Sequence, residues 1–164
     1  YATQRFVKRG LKIFSFGLMI TLITSLFLPR GAIFFGILHF IGISTVISIP
    51  FVKYKEKGLL LGLVALLAGF YLQTLSFDFP WLLWLGFIPS NFYTYDYFPI
   101  FPWFGFILFG IYLGNKFYPD AKRSFRIGNP RTCFLTFLGK NSLLIYLLHQ
   151  PVIILLLLAS GVAA

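Results

Sequence analysis

Apolar residues run in five stretches long enough to be membrane-crossing helices: 11–29, 32–52, 58–77, 100–117 and 141–161. A helix needs roughly 17–25 mostly apolar residues to cross a bilayer core about 30 Å thick. Between the third and fourth stretches lies "PWLLWLGFIPSNFYTYDYFP", residues 80–99, aromatic throughout and interrupted by Pro80, Pro89 and Pro99. It reads as an interfacial or re-entrant connection. Backbone without helix or ladder bonds is tolerated at membrane depth only where protein covers it. The expected fold is all-α, a polytopic membrane helix bundle of about five transmembrane helices, forming one domain over residues 1–164.

Composition strengthens this reading. Of 164 residues, 59% are hydrophobic and 11% charged, and 22 are Phe. A soluble domain of that length could not bury so much apolar surface.

Charge supplies an orientation. Arg5, Lys8, Arg9 and Lys12 lie ahead of the first stretch or at its very start, and Lys53, Lys55 and Lys57 lie at the junction of the second and third. Lys116, Lys122, Arg123, Arg126, Arg131 and Lys140 lie between the fourth and fifth, so thirteen of the fourteen basic residues occupy alternate connections and only Arg30 falls opposite. Short cytoplasmic loops carry the Lys/Arg excess. The expected location is the cytoplasmic membrane, with a cytoplasmic start and the carboxyl end outside. The net charge of +10 then reflects topology, and no nucleic-acid partner is expected. Membrane lipid is; a homo-oligomer or a larger membrane complex is left open.

Several chemistries are absent from the sequence. There is no Gly-rich phosphate loop, no His-Glu-x-x-His and no paired cysteine for zinc, Cys133 being single, so no metal is expected. The four carboxylates, Glu56, Asp78, Asp96 and Asp120, all fall between the expected spans.

Two imidazoles do fall within them. In "GAIFFGILHFIGIS", His39 stands between Gly36 and Gly42. In the last stretch, Ser142, Tyr146 and His149 recur at helical spacing, with Pro151 expected to kink the helix. At 1.5 Å per residue, His39 would lie about 10 Å from the outer edge and His149 about 12 Å from the inner one. Their heights would then differ by roughly 8 Å, close enough to share a cavity. Each imidazole has two readings: satisfying helix packing or local backbone, or lining a substrate path, as costly intramembrane ionisable groups commonly do.

Other features are less specific. Tyr95, Asp96 and Trp103, with neighbouring aromatics, could bind a sugar ring or form the interfacial aromatic belt. Arg9 and Lys140, at the inner ends of helices, could hold phosphates or simply set topology. The Gly58/Gly62 and Gly110/Gly114 pairs match a small-xxx-small packing pattern.

Three segments carry a resemblance: "FVKRGLKIFSFGLMITLITSLFLPRGAIFFGILHFIGIS", "DYFPIFPWFGFILFGIYLGN" and "LGKNSLLIYLLHQPV". In this order they resemble the prokaryotic heparan-α-glucosaminide N-acetyltransferase-like membrane proteins. The resemblance implies transfer of an acyl group from cytoplasmic acetyl-CoA, as co-substrate, to a sugar or glycolipid on the far side. It implies a histidine as general base or transient acyl carrier, which makes His39 and His149 the catalytic candidates. The basic inner face with Arg9, Lys140 and Asn141 could then hold the coenzyme, and Tyr95, Asp96 and Trp103 could meet the acceptor. It also implies further helices ahead of residue 1, carrying the histidine usually assigned to catalysis. The contrasting expectation is a non-catalytic accessory subunit, packed against lipid or pigment in a bioenergetic or photosynthetic assembly.

Overall fold

A computed structural model describes residues 2–27, 31–53, 55–118 and 133–160. Helix α1 spans Ala2–Phe27, α2 Ile37–Ile47, α3 Lys55–Leu72, α4 Ile100–Phe117, α5 Cys133–Lys140 and α6 Ser142–Ala159. There is no strand among the described residues, so the all-α class holds. Two compact units are distinguished, Tyr1–Phe125 and Arg126–Ala164. Arg30, Asp120 and the basic positions 122, 123, 126 and 131 lie outside the described residues.

In the first unit, α1 packs on α2 and α3 on α4. Both pairs approach through glycine. A Cβ on Gly42 would stand 2.7 Å from the Phe14 backbone nitrogen, and one on Gly17 would stand 2.9 Å from Nδ1 of His39. Between α3 and α4, a Cβ on Gly69 would meet the Pro102 backbone at 2.4 Å, and one on Gly105 the Gly62 carbonyl at 2.7 Å. Gly62 thus packs as its spacing suggests, but against Gly105; Gly58, Gly110 and Gly114 have no such neighbour within 4 Å. Close backbone approach of this kind drives helix association where lipid offers no hydrophobic contrast. Phe35, Phe40, Ile100, Phe104 and Leu108 make the buried core.

The described residues bear out the helical bundle only in part and do not confirm its five spans. Among the described residues, Thr3–Phe27 and Ile100–Phe117 are long and apolar enough to cross a membrane, while Ile37–Ile47 and Lys57–Leu72 are shorter apolar helices. Helix α2 has 11 residues, about 16 Å at 1.5 Å each, instead of the whole of 32–52. It begins late because Gly36 is extended, with φ −93° and ψ −174°. It ends early because Pro50 disfavours α conformation at Ile49; a 3₁₀ turn over Ile49–Lys53 follows. Helix α1 starts earlier than the apolar pattern, since its polar first turns are rich in good helix formers. The connection 80–99 is irregular as expected, apart from a 3₁₀ turn at Leu83–Leu85.

In the second unit, Asn141 separates α5 from α6, and its Nδ2 donates to the Phe137 carbonyl at 2.9 Å. Helix α6 continues through Pro151 to Ala159.

Candidate functional site: a clasp of two connections

The antiparallel order puts two connections, 31–36 and 73–99, at one end of the first unit. Neither is helical beyond one short turn, so their backbone groups need other partners. The partners are the two connections themselves and a few side chains. Tyr95 N–H donates to the Gly31 carbonyl at 3.3 Å, and Phe98 N–H to the Phe35 carbonyl at 3.0 Å. The Thr94 hydroxyl donates to the Ala32 carbonyl at 2.8 Å. From α1, Thr24 Oγ1 accepts the Ile33 N–H at 3.1 Å and the Thr21 hydroxyl donates to the Ile33 carbonyl at 2.6 Å.

The start of α2 is satisfied in the same way. The first N–H groups of a helix have no partner within it. Ile37 N–H donates to Asp96 Oδ2 at 3.0 Å, placing a carboxylate at the positive end of the helix dipole. Gly36 N–H donates to Nδ1 of His39 at 3.3 Å, one half of a capping box, with the imidazole standing where Glu or Gln is usual.

His39 is therefore in the first turn of α2, three residues past its N-cap, and only 2% exposed. Its ring stacks on Phe35 at 5.6 Å and meets Phe14 edge-on at 5.3 Å. Because a backbone N–H can only donate, Nδ1 must hold a lone pair. The neutral ring then carries its proton on Nε2, 3.3 Å from Thr21 Oγ1. The hydrogen bonds run one way: Gly36 N–H to Nδ1, Nε2–H to Thr21 Oγ1, Thr21 hydroxyl to the Ile33 carbonyl. Gly17 leaves the space this ring fills.

The remaining site candidates are spread out. Tyr95 covers Gly31 yet is 63% exposed, and its ring meets Tyr93 edge-on at 5.6 Å. Asp96 is half-buried. Tyr97 donates to the Leu83 carbonyl at 2.7 Å, and burial pushes its phenol pKa up. Trp103 lies on α4, packed on Phe98 and Phe106 at 4.9 and 5.8 Å. Arg9 is exposed near the opposite end of α1. In the second unit, Lys140 and His149 are exposed, and His149 Nδ1 contacts the Tyr146 carbonyl. The structure thus brings His39, Tyr95 and Asp96 to one clasp. Arg9 stands apart from it, Trp103 borders it through Phe98, and Lys140, Asn141 and His149 belong to the other unit. Thr21, Thr24, Thr94 and Gly17 complete the clasp. Hydroxyls at 21 and 24, one turn apart ahead of a glycine-bearing connection, were their only trace in the sequence.

The first unit is a set of apolar helices, two of them long enough to cross a membrane, whose polar groups gather where its connections meet. The family described as heparan-alpha-glucosaminide N-acetyltransferase, catalytic, matches residues 1–151. The chain belongs to that family, whose members are acetyltransferases that use acetyl-CoA as co-substrate. Comparison with curated proteins and with solved structures gave no significant match to either.

Proposed function

We propose that this protein is a transmembrane acyltransferase, moving an acetyl group from cytoplasmic acetyl-CoA to an amine or hydroxyl of an extracytoplasmic sugar or glycolipid. The family match over residues 1–151 is the observation that carries this reading. In the transfer, the acceptor nitrogen or oxygen attacks the thioester carbonyl, the C–S bond breaks, and the acceptor's proton leaves with the CoA thiolate. Arg9, Lys140 and Asn141 are the proposed contacts for the coenzyme, whose phosphates suit Arg forks and Lys point charges. Tyr95 and Trp103 offer aromatic faces to a sugar, and Asp96 offers Oδ1 to its hydroxyls while Oδ2 holds the Ile37 N–H.

His39 and His149 are the proposed handlers of the proton. For His39 the resting hydrogen bonds favour a donor's part: Nδ1 is occupied, so the ring acts as a base only after Gly36 N–H releases it. His149 is exposed, its Nδ1 beside the Tyr146 carbonyl.

A transfer assay decides the matter. The protein is reconstituted in liposomes with acetyl-labelled acetyl-CoA on the side of the amino-terminal basic residues and an amino-sugar glycan on the other. The expected result is label on the glycan with stoichiometric release of CoA. Neither label transfer nor CoA release, in vesicles containing folded protein, would overturn the proposal.

A further inference from the structure

An apolar groove of about 500 Å³ runs between α3 and α4, floored by Gly62 and walled by Leu60, Leu63, Leu66, Phe106 and Phe109. These walls are largely exposed: Leu60 by 64%, Leu63 by 52% and Phe106 by 50%. From Leu59 to Leu66 the groove extends about 10 Å along the helix axis. Surrounding lipid is as apolar as the groove, so its walls alone give no preference for one lipid over another. Selectivity has to come from charge at one end.

That charge is present. Lys53 ends the 3₁₀ turn just ahead of α3, Lys57 lies in the first turn of α3 and Lys116 at the end of the antiparallel α4, all exposed. The two segments are joined there, Asn115 Nδ2 donating to the Val52 carbonyl at 3.0 Å. Phe106, Phe109 and Lys116 fall on one face of α4 by helical spacing, so the groove wall leads toward that lysine. Glu56 is the only acidic residue in the sequence between positions 1 and 77.

We propose that this groove and its basic end bind an anionic phospholipid, one acyl chain lying along Leu60, Leu63 and Phe106 with the phosphate at Lys53, Lys57 and Lys116. The site is separate from the clasp and independent of the catalytic reading.

Native mass spectrometry of the full chain, released from detergent with added phosphatidylglycerol or phosphatidylcholine, tests it. Phosphatidylglycerol is expected to be retained about tenfold better, in line with the attraction of lysines to anionic lipid. The K53Q/K57Q/K116Q variant should lose that preference while keeping its helical circular dichroism. Leu63→Trp, which fills the groove and leaves the lysines intact, should lower phosphatidylglycerol retention several-fold. Equal retention of the two lipids, a preference that survives lysine substitution, or retention untouched by Leu63→Trp would overturn the proposal. So would displacement of the lipid by CoA, which would assign the lysines to the donor's phosphates.

Discussion

The carboxylate of Asp96 accepts the backbone N–H of Ile37 at 3.0 Å, across 59 positions of sequence. This bond ties the connection ahead of α4 to the first turn of α2. Substituting an N-terminal capping acceptor by Ala costs roughly 0.5–2 kcal/mol. Asp96→Ala should therefore lower stability by about that amount in detergent, and Asp96→Asn, which keeps an acceptor without the charge, by less. Thermal unfolding of the two variants checks the order. Equal loss would mean that the charge, and not the hydrogen bond, is what matters.

The helix pairs predict a contrast between glycines. Gly69→Ala drives a methyl into the Pro102 backbone at 2.4 Å; overpacking of this kind typically costs about 1–3 kcal/mol. Gly110, on α4, has open space around it. Gly110→Ala should be neutral or stabilising by up to about 1 kcal/mol, because Ala is the better helix former. Unfolding midpoints that fall equally for both would refute the α3–α4 contact.

How much of this was legible follows from the distance over which each feature is determined. The apolar runs located α4 and α6 to within two residues of their ends and α3 to within five, because hydropathy is local, but they missed the first nine residues of α1, whose polar turns carry no apolar signal. Helix α2 was misjudged in length: Phe34 and Phe35 look like helix interior, and only Gly36 and Pro50 mark the boundaries. The special position of His39 was visible, since an imidazole among apolar residues stands out. Its partners were not. Thr21 and Asp96 meet the start of α2 only through tertiary folding, and nothing local shows that one oxygen of Asp96 is taken by the Ile37 N–H.

On the coenzyme side, removing both charges in Arg9→Gln/Lys140→Gln should raise the apparent acetyl-CoA constant several-fold at unchanged protein level, if these residues meet the donor's phosphates. Steady-state transfer kinetics at varied donor concentration measure this. Unaltered donor affinity would leave the two residues a purely topological role.

Substitutions at His39 separate its two ring nitrogens. Asn places its oxygen near the Nδ1 position and can keep the Gly36 N–H satisfied; Gln reaches toward Nε2 and can keep the bond to Thr21; Leu keeps neither. An unsatisfied buried polar group costs about 1–3 kcal/mol. His39→Leu should therefore be the least stable of the three, with Asn and Gln between it and the native protein. If the ring only positions the clasp, Asn and Gln retain much of the transfer activity. If it moves a proton, all three lose it while the two polar variants remain folded.

Which nitrogen of His39 holds the proton can be observed directly. Nitrogen NMR of the ring-¹⁵N-histidine protein, with His149→Gln used to assign the two rings, reports the protonation of each nitrogen near neutral pH. The hydrogen-bond chain from Gly36 to Ile33 requires a neutral His39 with an unprotonated Nδ1 and a proton on Nε2, and Thr21→Val should shift the Nε2 signal. A proton on Nδ1 would contradict the Gly36 N–H bond, and with it the arrangement in which the imidazole closes the clasp.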